Sequence, residues 1–157
     1  MKGQSLIEVL LGLSIGAIIL GAITAAVISS LRNAQFAKNQ NLASQFASQG
    51  LEIVKQIRDG DNDFNLNNMV GTYCLGTDGE LNTSPSCGPN IGTPATYSRT
   101  VRIDEGDPIG NSCETNTYYI VVSVSWWDNA CDNTNVFCHE VDLASCLVKR
   151  ESSATIL

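Results

Sequence analysis

The pattern of apolar and polar positions divides the chain into three stretches. From Leu6 to Leu31 nearly every side chain is Leu, Ile, Val, Ala or Gly, and no charged residue stands between Glu8 and Arg32. A run of this length crosses a hydrocarbon core of about 30 Å as one helix. From Arg32 the pattern turns amphipathic, with no Pro or Gly cluster to stop the helix. Phe36, Ala43, Phe46, Gly50, Ile53, Val54 and Ile57 recur at helical spacing, opposite Lys38, Asn39, Gln45, Gln49, Glu52 and Lys55. That periodicity predicts one apolar face on a helix ending at Arg58-Asp59-Gly60. Unbroken from Gln4 to Arg58, it is roughly 80 Å long. The alternative is two helices with a break between Ser29 and Asn33.

After the helix the period changes. Asp59-Gly60-Asp61-Asn62-Asp63-Phe64-Asn65 places oxygen ligands at alternate positions, as a calcium loop does. Phe64 occupies the turn-glycine place, however, and Val70 that of the bidentate glutamate, so a solvated turn is the simpler reading. Residues 60–96, rich in Asn, Gly, Thr, Ser and Pro, read as a long connection. Strands follow at Tyr97–Ile103, Tyr118–Trp127 and about Phe137–Val148, separated by the turn-rich segments Gly106–Asn116 and Asp128–Asn135. In the second, Ile120, Val122, Val124 and Trp126 share one face and Tyr119, Ser123, Ser125 and Trp127 the other. One of the two tryptophans therefore faces the core, and packing is a simpler role for the pair than a stacking site for a sugar or base. The expected fold is α+β: a long N-terminal helix packed on a small antiparallel sheet of about three to four strands in a meander.

Charge and cysteine content add a location. Residues 73–148 hold ten acidic side chains against two basic ones, Arg99 and Arg102, a field that repels phosphate backbones and argues against direct nucleic-acid binding. All six cysteines, Cys74, Cys87, Cys113, Cys131, Cys138 and Cys146, follow the apolar run. An even number in a small domain suggests disulfides and an oxidising compartment, with the connectivity left open. A Cys74–Cys87 bridge would close a short loop in the long connection. Zinc is disfavoured, because no Cys-x-x-Cys is present and the single histidine, His139, simply adjoins Cys138; neither a metal nor a cofactor is expected. With one histidine, no nucleophile–base set stands out, nor does a phosphate-binding glycine motif, so no enzymatic activity is expected.

The opening residues carry the most specific signal. Lys2 is the only basic residue before the apolar run, and Gly3-Gln4-Ser5-Leu6-Ile7-Glu8-Val9-Leu10 sets a glycine, a polar pair, an apolar pair and an acid in order. This is not the shape of a secretory signal peptide. It resembles the class III signal of type IV prepilins and of the pseudopilins of type II secretion systems. Ser48–Asp59 resembles what commonly follows the spine in minor prepilins, and Val-Ser-Val-Ser-Trp-Trp-Asp (122–128) the penultimate strand of minor pilins of the pilus-modification type. The chain departs from the family in having Gln4 where Phe is most frequent, and no helix-kinking proline near Gly12, Gly16 and Gly21.

The resemblance implies a leader (1–3), a transmembrane and assembly helix (4–31), an amphipathic half of the spine (32–59), a loop (60–96), a sheet region (97–148) and a tail (149–157). It implies peptidase cleavage between Gly3 and Gln4, N-methylation of Gln4, and an assembly role for Glu8. A carboxylate near the bilayer interior costs a few kcal/mol, and the amino terminus of Gln4 in a neighbouring subunit would relieve that cost. Expected partners are other pilin subunits, the prepilin peptidase, an inner-membrane assembly platform and, before assembly, the bilayer. The globular part would lie on the outer face of the membrane and later in an extracellular or periplasmic filament. Two alternatives stand beside a pilus subunit: a pseudopilin of a secretion or DNA-uptake machine, and a non-polymerising single-pass protein with a disulfide-rich, ligand-binding ectodomain.

Overall fold

The computed structural model describes residues 4–60, 69–84, 87–92, 96–106, 113–114, 116–128, 131 and 137–149. The leader, nearly all of the acidic loop weighed for calcium, and the tail beyond Lys149 lie outside these residues. The chain divides into two units, Met1–Asn39 and Gln40–Leu157.

Helix α1 runs from Gln4 to Gly60 as one element, with no break at Ser29–Asn33. Its first part exposes Leu6, Ile7, Leu13, Ile18, Leu20 and Leu31 around its circumference. Two hydroxyls in this part are satisfied by the helix itself: Ser14 Oγ donates to the Leu11 carbonyl and Thr24 Oγ1 to the Leu20 carbonyl, both at 2.8 Å. Such back-bonding lets hydroxyl residues sit in an apolar medium without an unmet donor. This part of α1 is long and apolar enough to cross a membrane.

In the second unit the C-terminal part of α1 packs on the sheet through a narrow stripe. Ala43, Ala47, Gly50 and Val54 are buried, flanked by the half-buried Leu42, Phe46, Leu51 and Ile53. Phe36, expected on the same face, belongs to the first unit and is 40% exposed. The small residues decide how closely the layers approach. A Cβ on Gly50 would lie 2.8 Å from Val122 Cγ1 and 3.2 Å from Arg99 Cδ.

The described residues form a sheet of five strands, which corrects the expected three to four: β1 Gly71–Leu75, β2 Leu81–Asn82, β3 Tyr97–Glu105, β4 Thr117–Trp126 and β5 His139–Val148. Their order is β2-β1-β3-β4-β5, and every neighbouring pair is antiparallel. The expected meander is thus β3-β4-β5, and the extra strands come from the stretch read as loop. Their signal is weak because β1 has five residues and β2 two, set among Gly, Thr and Asn. Tyr73 and Leu75 turn inward from them, with the half-buried Leu81 packed beside.

Alternation along the strands fills the core. Ile120, Val122 and Val124 of β4 are fully buried, as are Val101 and Ile103 of β3, and each such side chain contributes about 1.5–3 kcal/mol. Beyond the reach of β1, the free edge of β3 is covered by the loop before it. Asn90 Oδ1 accepts from the Arg99 N–H at 2.8 Å and Asn90 Nδ2 donates to the Arg99 carbonyl at 3.1 Å, which reproduces with a side chain the bonds a strand would supply. Ser98 Oγ donates to the Cys87 carbonyl at 2.8 Å.

Two measurements test this packing. Gly50→Ala gains about 1 kcal/mol of helix propensity but overpacks against Val122, and overpacking costs about 1–3 kcal/mol. The expected result is a lower denaturant midpoint, part of which the added change Val122→Ala restores; an unchanged midpoint would show that the layers are free to separate. The second concerns alkaline pH. Burial holds the phenols of Tyr97 and Tyr118 above their ordinary value of 10.0, and Lys149 opposes the shift at Tyr118. The folded phenols keep their protons to higher pH than the unfolded ones, so this contribution is complete below pH 10 and is lost as pH rises towards the folded value. Denaturant midpoints measured between about pH 9 and about pH 11 fall for the wild type and fall less for Tyr97→Phe.

Candidate functional site

The N-terminal segment holds the residues for which the resemblance implies processing and assembly. Gln4 is the first residue of α1, and Gly3 lies outside the described residues. Glu8 follows one turn later, exposed among Leu6, Ile7, Val9 and Leu10, which are exposed as well. Residues four apart share a helix face, so the backbone nitrogen of Gln4 and the Glu8 side chain sit about 6 Å apart along the axis. Among the described residues, none forms an ion pair with Glu8. A Cβ added at Gly12, Gly16 or Gly21 meets nothing within 4 Å, so folding of this chain does not demand glycine there. The Gly12-x-x-x-Gly16 spacing is the small-residue pattern that allows close helix approach in membranes.

All six cysteines are paired. Cys74–Cys87 is the bridge weighed from the sequence, and the other two are Cys113–Cys146 and Cys131–Cys138. Cα separations of 5.5, 5.6 and 5.4 Å suit these bonds. The first holds β1 to the loop that covers β3. The second ties the approach to β4 to strand β5, and the third closes the connection between β4 and β5.

That connection gathers residues which sequence reasoning had kept apart. Trp126, at the end of β4, stands directly across from His139, at the start of β5. The imidazole stacks on the Trp126 indole at 5.3 Å, and its Nε2 lies 3.1 Å from Asp128 Oδ2. The Cys131 N–H donates to the Asp128 carbonyl at 3.1 Å, and the Asp128 N–H donates to Cys131 Sγ at 3.4 Å. Asp128, Cys131, Cys138 and His139 each place one potential ligand atom within 4.8 Å of the others. In the disulfide form neither sulfur is a thiolate, so the corner presents one imidazole and one carboxylate. Of the two tryptophans, Trp126 is buried in the core and Trp127 is 52% exposed.

Arg99 was missed as a functional part of the core. Its side chain alternates inward with Tyr97, Val101 and Ile103, and only 2% of the residue is exposed. The guanidinium donates to three carbonyls: Nε to Leu75 at 3.0 Å, Nη1 to Phe46 at 3.1 Å and Nη2 to Gly76 at 2.7 Å. Burial pulls its pKa below the ordinary arginine value, and the Asp78 carboxylate acts in the opposite direction. The available signal was the alternation itself, which set an arginine on the inward-facing register. Elsewhere, a shallow depression on the polar side of α1 is lined by Asn41, Ser44, Gln45, Ser48 and Gln49, none of them ionisable.

No family model, curated protein or solved structure matches this chain.

The disulfides rank by the loop each one closes, with sequence separations of 33, 13 and 7 residues. Chain entropy assigns them stabilities on the order of 4, 3 and 2 kcal/mol. Paired Cys→Ser variants at 113/146, 74/87 and 131/138 should lose stability in that order when urea unfolding is followed by tryptophan fluorescence. A reversed order would mean that native strain, and not loop closure, governs them.

Proposed function

We propose that this chain is a minor pilin-like structural subunit of a type IV pilus or related filament. The observation that carries the reading is one helix with two solvation requirements. Its first part bears apolar side chains on every side, and its second part forms one layer of a disulfide-bonded α+β domain. The order Gly3-Gln4-Ser5-Leu6-Ile7-Glu8 supports processing at the Gly3–Gln4 bond, followed by N-methylation of Gln4.

On this reading the apolar part has two successive environments. It first spans the cell membrane, with the domain on the outer, oxidising side where the three disulfides form. It is then extracted by the assembly platform into a bundle of like helices, where the apolar surface that faced lipid packs against neighbouring subunits. Glu8 sets the axial register: its carboxylate pairs with the cationic amino terminus of Gln4 in an adjacent subunit, and each charge relieves the other in an apolar medium. The subunit's work is assembly and not catalysis.

Coexpression with a prepilin peptidase tests the reading. The mature chain is expected to begin at Gln4 by mass spectrometry, and a chain that still begins at Met1 or Lys2 would sink the proposal in favour of a non-polymerising membrane protein. Glu8→Ala and Glu8→Gln should be cleaved but should enter filaments on the order of tenfold less than wild type. Equal incorporation would remove the register role.

A further inference from the structure

The corner between β4 and β5 offers chemistry that the filament reading does not use. We propose that reduction of the Cys131–Cys138 disulfide by a dithiol converts this corner into a zinc site. Its four ligands are the thiolates of Cys131 and Cys138, an imidazole nitrogen of His139 and a carboxylate oxygen of Asp128.

The sheet supplies the preorganisation. Because Trp126 and His139 are register partners, strand pairing holds the two ends of the connection together alongside the disulfide. Four ligand atoms within 4.8 Å of one another are close to a tetrahedral set, in which Zn–S, Zn–N and Zn–O bonds place ligands about 3.3–3.8 Å apart. The 3.1 Å between His139 Nε2 and Asp128 Oδ2 already matches the nitrogen–oxygen edge. The change required is separation of the two sulfurs, which is what reduction permits. Stacking on Trp126 fixes the plane of the imidazole. Two thiolates beside an imidazole favour zinc over the hard cations magnesium and calcium.

The balance is simple. The dithiol gives two electrons and two protons to the Cys131–Cys138 bond and becomes a cyclic disulfide. Zinc then displaces both thiol protons to solvent. A newly made, still reduced chain thereby holds the same corner with a metal until oxidation replaces it.

The test uses the full-length protein in detergent, reduced with a water-soluble phosphine, which leaves no competing thiol. Zinc is expected to slow alkylation of Cys131 and Cys138, mapped by mass spectrometry, and to leave Cys74, Cys87, Cys113 and Cys146 as reactive as before. Cobalt in its place should give the visible bands of a four-coordinate thiolate site. His139→Ala should weaken zinc binding on the order of tenfold or more. The oxidised protein should take up no zinc at the same concentration. Unslowed alkylation of Cys131 and Cys138, protection of another cysteine pair in their place, or full affinity in His139→Ala would each overturn the proposal. The alkylation measurement needs no variant, and every readout is independent of filament formation.

Discussion

The globular unit depends on one buried cation and the space made for it. Arg99 brings a guanidinium into the layer between helix and sheet, where an unpaired charge would cost several kcal/mol. Three main-chain carbonyls compensate it, and they come from different elements: Phe46 from the helix, Leu75 from β1 and Gly76 from the turn beyond it. One side chain therefore fixes the height of the helix over the sheet and seats β1 beside β3. Gly50 is the counterpart on the helix, because a Cβ there would press on both Val122 and the Arg99 side chain. Close approach and buried charge are one constraint seen from two sides.

The same helix meets opposite demands along its length. In its C-terminal part, a stripe of Ala43, Ala47, Gly50 and Val54 is enough to cover a sheet whose own strands supply the large side chains. In its N-terminal part the apolar side chains stay exposed. Water does not tolerate a surface of that kind, whereas lipid or a bundle of like helices does. The hydroxyls of Ser14 and Thr24, bonded back to their own helix, suit either medium.

Around this frame the disulfides act at the margins of the sheet. The two-residue β2 and the β5 strand, with Glu140 and Asp142 exposed, form the outer strands. Short length and charge both discourage pairing with another chain. Cys113–Cys146 fastens β5, and Cys74–Cys87 fastens the loop whose Asn90 completes the edge of β3. Two margins that strand pairing alone would leave loose are thus held covalently.

Periodicity by itself determined the helix and the central strands. The uncharged run between Glu8 and Arg32, the three- and four-residue steps to Ile57, and the alternation of Ile120, Val122, Val124 and Trp126 are local patterns that one burial geometry explains. The succession of residue types from Gly3 to Glu8 was also legible, because it lies in one short stretch of chain. Tertiary structure alone decided what depends on contacts between distant positions. Strands β1 and β2 are too short for a period to declare itself and exist because β3 offers an edge. Arg99 looked like a surface charge in the residue count, since nothing local announces that three carbonyls from elsewhere will meet it. Cysteine partners, and the meeting of Asp128 and His139, follow from strand register, which sets residues side by side that the sequence holds apart.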